Sequence, residues 1–317
     1  MADTVNIPVI DARHVAASYT SGPFWDQRVT VAVKETTLEI AAGETIGLVG
    51  ESGSGKSTLG RLFLGLISAS AGAVLFDRKL IGPKHKPPAG KLSVVLQNPE
   101  WALNPRLKVG TSVSEPLSVL GVATRSEKLA EARRALDAVG LDSSFVERYP
   151  HELSGGQRQR VAIARALITE PRFIVFDEAV SALDVSVQTQ VLNLIMDLQQ
   201  QYGFGALFIS HDLAATRYVA HRMAVMYAGA LMEIGPADLF YGRARHPYSR
   251  ALSISVDAES NARFALQGTV ADVAQNGCPL RLRCPWNVER CHRETPELRD
   301  ISGGKVACHR AEEVGLA

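Results

Sequence analysis

Eight consecutive residues, Gly50-Glu51-Ser52-Gly53-Ser54-Gly55-Lys56-Ser57, fit the pattern G-x-x-x-x-G-K-[ST], whose chemistry is that of a cradle for phosphate. Gly50, Gly53 and Gly55 let the backbone curl so that successive N–H groups, including those near Ser52 and Thr58, converge on an anion. The helix start that follows adds partial positive charge, Lys56 reaches the outer phosphate oxygens, and the Ser57 hydroxyl suits a magnesium ion. A second element, Phe173-Ile174-Val175-Phe176-Asp177-Glu178, sets two acids after four apolar residues. A buried strand of that kind would carry Asp177 to the magnesium and Glu178 one residue further, toward an attacking water. Taken singly, the first could be a glycine-rich turn with a surface lysine and the second two solvated acids. Their occurrence in one chain favours the chemistry. Kinases, GTPases, helicases and transport ATPases all remain open on these two elements.

Leu153-Ser154-Gly155-Gly156-Gln157 precedes a run from Arg158 to Leu167 in which Val161, Ala164 and Leu167 recur at helical spacing. Ser154 is a good N-cap, so its hydroxyl and the Gly155 and Gly156 amides form another anion-binding helix start. The chain thus carries two phosphate sites.

Positioning these residues requires an α/β core. Thr45–Gly50, Ser93–Leu96, Phe173–Phe176 and Ala206–Ile209 are short apolar runs of strand length separated by helical patterns, which predicts a mostly parallel sheet buried on both faces. A helix is expected from Thr58 to Leu66. Asn98 to about Arg160 reads as a helical insertion, its clearest element capped by Thr124 and Glu127 and stopped at Gly140. After Met223 a strand, a turn at Gly229 and a second strand predict a hairpin. The expected organisation is a nucleotide-binding α/β domain over residues 1–245, with the helical insertion at about 98–160, and a small Cys-rich C-terminal module over 246–317.

Lys and Arg number 34 against 33 Asp and Glu, and a net charge of +1 gives no electrostatic reason to expect nucleic acid. Met1 to Asp11 lacks the basic and apolar regions of a signal peptide, so a cytoplasmic location is expected. The longest uncharged stretch, Leu62 to Phe76, falls short of the roughly 20 apolar residues that span a bilayer. If the chain serves a membrane process, another chain crosses the membrane. All four cysteines, Cys278, Cys284, Cys291 and Cys308, lie in the tail, and four thiolates there suit an iron-sulfur cluster or tetrahedral zinc. Paired C-x-x-C knuckles are absent, which weakens zinc; His309 is a candidate substitute ligand, and four plain reduced cysteines with no metal are the third reading. In a tail with little apolar content, a metal would serve structure before redox chemistry.

Leu153 to Gln157 spells LSGGQ, and here the sequence resembles the ABC ATPase family, whose signature motif this is. The resemblance implies a P-loop NTPase fold with a RecA-like core and antiparallel β and helical subdomains. It also implies that the signature of one subunit closes over ATP held by the phosphate loop of another. Gln97 matches the glutamine that senses the γ-phosphate and magnesium and faces the membrane subunit, with Glu100 and Trp101 beside it in the expected groove. Ser181-Ala182-Leu183-Asp184 matches the segment that crosses the dimer interface, and His211 the histidine that bonds the γ-phosphate. Tyr19 stands where the family stacks an aromatic residue on adenine; Phe24 and Trp25 compete for that role. Ala179 departs from the family, where proline often follows the acids.

Gln97-Asn98-Pro99, Tyr149-Pro150-His151-Glu152, Asp184-Val185-Ser186-Val187-Gln188 and Arg245-His246-Pro247-Tyr248 are similar to the ATPases of oligopeptide, dipeptide and nickel importers. That branch implies a second ATPase subunit, two membrane permeases, an extracytoplasmic solute-binding protein met indirectly, and a place on the cytoplasmic face of the inner membrane. It also implies a 4Fe-4S cluster in the tail. The alternative is a non-transport ABC ATPase acting as a nucleotide-driven clamp, but such chains carry a long coiled-coil insertion or two cassettes.

Overall fold

The computed structural model describes residues 7–121, 124–254, 266–269, 273–274 and 276–314. Strands β1 (Pro8–Ser21) and β2 (Arg28–Ala41) form a long antiparallel hairpin ahead of β3 (Thr45–Val49), which leads into α1 (Lys56–Phe63). The hairpin strands β4 (Ala71–Phe76) and β5 (Lys79–Ile81) and then β6 (Leu92–Leu96) follow. The helices α2 (Val109–Leu120) and α3 (Arg125–Ala138) precede α4 (Gly155–Leu167), which runs through residue 160 and returns the chain to β7 (Phe173–Asp177). Next come α5 (Val185–Tyr202), β8 (Gly205–Ser210), α6 (Leu213–Val219), and the hairpin β9 (Arg222–Tyr227) and β10 (Ala230–Pro236). Beyond α7 (Pro247–Ile254) the tail contributes α8 (Glu289–Arg293), β11 (Arg299–Ile301), β12 (Gly304–Val306) and α9 (Ala311–Val314).

Two sheets result. The larger runs β11-β12-β10-β9-β3-β8-β7-β6, parallel from β9 through β6 and antiparallel at its other end; the smaller is the antiparallel β2-β1-β4-β5. Every residue of β3 and β8 is buried, as parallel strands covered on both faces require. Alternation along β7 and β8 divides the core. Ile174, Phe176, Ala206 and Phe208 point into the cluster shared with α2 to α5, while Phe173, Val175, Leu207 and Ile209 point at α1 and the antiparallel sheet.

The four apolar runs are strands and the Gly229 turn closes a hairpin, as the sequence predicts. The Thr124–Glu127 capping box forms, with both reciprocal bonds present. The first helix occupies 56–63 in place of 58–66. Gly55 at φ 103° starts it earlier, and Gly65 at φ 67° breaks the chain after Leu64. The tail does more than stand beside the core, because β12 pairs with β10 and extends the main sheet.

The His246-Pro247-Tyr248 segment fastens the tail. Buried Glu233 accepts the backbone N–H of Arg245 at 2.7 Å and of His246 at 3.1 Å, and His246 Nδ1 accepts the Tyr248 N–H at 3.1 Å. Burial pushes the His246 imidazole down to about 3, so it is neutral at physiological pH and serves as a fixed hydrogen-bonding group.

Candidate nucleotide site

The strand register brings the chemistry together. Val49 lies level with Ser210, Asp177 with Ile209, and Leu96 with Asp177. Gly50, Gln97, Glu178 and His211, each just past the carboxyl end of its strand, therefore emerge along one edge of a parallel sheet, where α/β folds bind ligands.

Within the loop, Gly50 must be glycine. Its φ is 155°, and a Cβ there would lie 2.1 Å from the Met226 carbonyl oxygen. Ser52 and Gly53 are exposed and α1 has no acid in its first turn, so nothing in that helix competes for an anion. Lys56 is buried and donates to the Gly50 carbonyl at 2.7 Å and the Glu51 carbonyl at 2.9 Å. Burial lowers its pKa, while Glu178, Asp177 and Glu51 pull the other way. The Ser57 hydroxyl donates to Asp177 Oδ1 at 3.0 Å, and burial raises the Asp177 carboxyl. A hydroxyl beside a desolvated carboxylate is a hard-oxygen pair that fits magnesium, whose charge would offset that desolvation.

Glu178 sits at φ 51°, in the left-handed region that a non-glycine residue adopts only when its surroundings hold it there. Its N–H donates to the Ile209 carbonyl at 2.9 Å, and its own carbonyl accepts the Ser181 N–H at 3.1 Å and the Ser181 hydroxyl at 2.9 Å. His211 Nδ1 is 3.6 Å from Glu178 Oε2. The Tyr19 hydroxyl is 3.4 Å from Thr58 Oγ1, at the mouth of the loop, whereas Phe24 and Trp25 are 90% and 84% exposed at the hairpin tip.

The second helix start stands apart. Ser154 forms a capping box with Gln157, accepting its N–H at 3.3 Å and donating its own N–H to Gln157 Oε1 at 2.9 Å. Among the described residues no hydrogen bond or ion pair joins Ser154–Gln157 to the Gly50–Ser57 loop. Gly155 and Arg158 instead share a groove of about 410 Å³ with Gln97, Asn98, Glu100 and Leu183. The Trp101 side chain lies outside the described residues. Asp184, placed at a subunit interface by resemblance, is exposed and here caps α5 by accepting the Val187 N–H at 3.0 Å.

Cys278, Cys284 and Cys291 are buried in one apolar cluster and Cys308 is half-buried in the adjoining one. Burial pushes Cys278 up to about 11 and Cys284 and Cys308 up to about 12. Among the described residues no three or more Cys, His, Asp or Glu side chains form a compact group suited to one metal ion. Sequence reasoning missed the residues that grip the loop from outside, Tyr248 and Arg283. Only the fold brings them to Glu51, 197 and 232 positions away.

Loop, acid pair and detached signature helix define a class, and the comparisons agree. Residues 33–181 match the ABC transporter family, and residues 232–291 match the C-terminal region of oligopeptide/dipeptide transporters. The chain belongs to the ABC transporter ATP-binding family and is an ABC ATPase. It is 48% identical over 288 residues to a Brucella abortus protein named for peptide import and ATP binding, covering 88% of this chain and 86% of that one. A Brucella ovis protein of the same description is 42% identical over 316 residues, covering 96% and 98%. Among solved structures, a dimeric post-hydrolysis state of the ATP-binding cassette MJ0796 with ADP and Pi aligns with a TM-score of 0.62 and 27% identity, over 72% of this chain and 98% of that one. The cbiO1 subunit from Clostridium perfringens, part of the transporter complex cbiONQ, aligns with a TM-score of 0.65 and 25% identity, over 74% and 91%. No described helix is long and apolar enough to cross a membrane.

Proposed function

We propose that this chain binds and hydrolyses ATP to power the import of peptides or a related small solute, working as one of two nucleotide-binding subunits on the cytoplasmic face of the inner membrane. The observation that carries the reading is the level strand edge, which gathers Lys56, Ser57, Asp177, Glu178 and His211 while leaving the Ser154 helix start outside. The phosphate loop binds the triphosphate of one site, and the Ser154–Gln157 helix start serves the site of a second subunit. A triphosphate carries more charge than one set of dipoles neutralises, so a second set arriving from another chain makes the nucleotide a bridge. Ser57, Asp177 and Gln97 hold magnesium, which supplies neutralisation of the phosphate oxygens. Glu178 accepts the proton of the attacking water, His211 steadies the outer phosphate, and Tyr19 stacks on the base. Leaving of the cleaved phosphate removes the charge bridge, and the two subunits part.

The Gln97 groove, with Glu100 and Arg158 on its wall, is the surface for a permease subunit. Peptide import follows from the names of the relatives and from the match of the tail to the oligopeptide/dipeptide transporter region. Co-expression with candidate permease subunits and a solute-binding protein should give a complex whose vesicles take up peptide only with ATP. A chain that hydrolyses ATP but co-purifies with ribosomes and no permease would replace this reading with the clamp.

For the tail we propose an iron-sulfur cluster held by Cys278, Cys284, Cys291 and Cys308. Support comes from the chemistry of four thiols within electrostatic reach of one another. A cluster accepts four thiolates at its corners, while the paired C-x-x-C knuckles common in zinc sites are absent from the sequence. Protein prepared without oxygen should be brown, with visible absorbance lost on Cys284→Ser. Stoichiometric zinc without iron would overturn the assignment.

A further inference from the structure

The tail reaches the phosphate loop directly. Arg283 grips Glu51 with both guanidinium nitrogens, Nη1 to Oε2 at 2.8 Å and Nη2 to Oε1 at 3.0 Å. Its side chain is 6% exposed against 23% for Glu51. The guanidinium also donates to the Tyr227 hydroxyl at 3.4 Å, and the Tyr248 hydroxyl accepts the Glu51 N–H at 2.9 Å. The Arg283 backbone is fixed in turn, donating its N–H to the Leu280 carbonyl and accepting the Gln267 N–H, at 2.8 and 2.9 Å. Glu51 is therefore held at both its amide and its carboxylate by residues from beyond the nucleotide-binding core.

The arrangement answers an electrostatic problem in the loop. Glu51 puts a carboxylate inside the segment that receives a polyanion, and its field already reaches Lys56. A free carboxylate there would repel the triphosphate and compete for the lysine. A bidentate arginine cancels the charge and turns the carboxylate away in one fixed geometry. Resting on the assignment of Gly50–Ser57 as the phosphate loop, we infer that Arg283 is a positioning residue for nucleotide binding, neutralising and restraining Glu51 from the tail.

The inference is tested by rescue. In the full-length chain, Arg283→Met should weaken binding of a fluorescent ATP analogue and raise KM for ATP by roughly tenfold. That is the order expected for one unit charge a few ångströms from the ligand at the dielectric of water, about 80, because a carboxylate released by the arginine is screened by solvent. Turnover at saturating ATP should stay within about twofold, since Arg283 touches no reacting atom. Glu51→Gln placed on the Arg283→Met background should restore most of the lost affinity, because the uncancelled carboxylate is gone. Arg283→Lys keeps the charge without the fork and should fall between. Damage to folding alone would not be relieved by a second substitution in the loop. Wild-type affinity in Arg283→Met, or a loss that Glu51→Gln leaves in place, would overturn the inference. Should Arg283→Met fail to fold, Arg283→Lys with and without Glu51→Gln gives the same comparison, and equal affinity in that pair overturns it. Lys56→Ala in the same assay separates the premise, for if it binds like wild type the loop is not the nucleotide site at all.

Discussion

Replacing Glu178 with glutamine is expected to leave nucleotide binding intact while ATP turnover falls by about 10²- to 10⁴-fold, the usual worth of a positioned general base. The backbone is the reason for expecting so clean a separation. Glu178 occupies its left-handed conformation because its N–H is committed to the Ile209 carbonyl and its carbonyl to Ser181, and neither bond involves the carboxyl. Glutamine keeps the shape and the backbone bonds and loses only the capacity to take a proton from water. His211, 3.6 Å away, is not placed to replace it, because its proposed partner is the outer phosphate. With turnover blocked and the triphosphate retained, the paired subunits should accumulate closed. Phosphate release and size-exclusion chromatography in saturating ATP and magnesium measure the two effects, and hydrolysis at the wild-type rate would remove Glu178 from the role.

Much of this site could be read before any coordinates, and the reason is local. Gly50–Ser57, Asp177–Glu178 and Ser154–Gln157 carry their chemistry within a few consecutive residues, and each adjoins a buried strand or a capped helix whose pattern is equally local. The hairpin β1–β2 escaped such reading although Thr36, Leu38 and Ile40 alternate in burial with Thr37 and Glu39, because register shifts interrupt the pairing and the outer end of β2, residues 28–31, is exposed without alternation. The tail hairpin β11–β12 escaped for another reason. Its strands are three residues each and gain their partner from β10, so no periodicity marks them. The Glu51–Arg283 pair lies furthest from sequence reasoning, since neither residue type nor spacing ties a loop glutamate to an arginine in the tail.

Two substitutions at the glycine helix start and the lysine should fail in opposite ways, and the contrast bears on whether the site is shared between chains. Gly155→Asp is expected to fold. A Cβ at 155 meets only Leu183 Cδ2, at 3.8 Å, and an acid in the first turn of a helix is favourable in itself. Gly156 would be a poor choice, because its Cβ would lie 2.5 Å from Val187 Cγ1 and disturb α5. The isolated Gly155→Asp subunit should bind ATP with wild-type affinity, since its own phosphate loop has no hydrogen bond to the signature. Hydrolysis in the assembled pair should nevertheless fall by roughly 10²- to 10³-fold, because a carboxylate now occupies the helix start meant for the partner's phosphates. Lys56→Ala should instead weaken ATP binding by roughly 10- to 100-fold in the isolated subunit, the scale of a lost charge-assisted bond. Equilibrium binding to the single subunit and phosphate release from the assembly distinguish the two. If Gly155→Asp lost nucleotide affinity as an isolated chain, the signature would belong to the same site as the loop, and no second subunit would be needed to complete it.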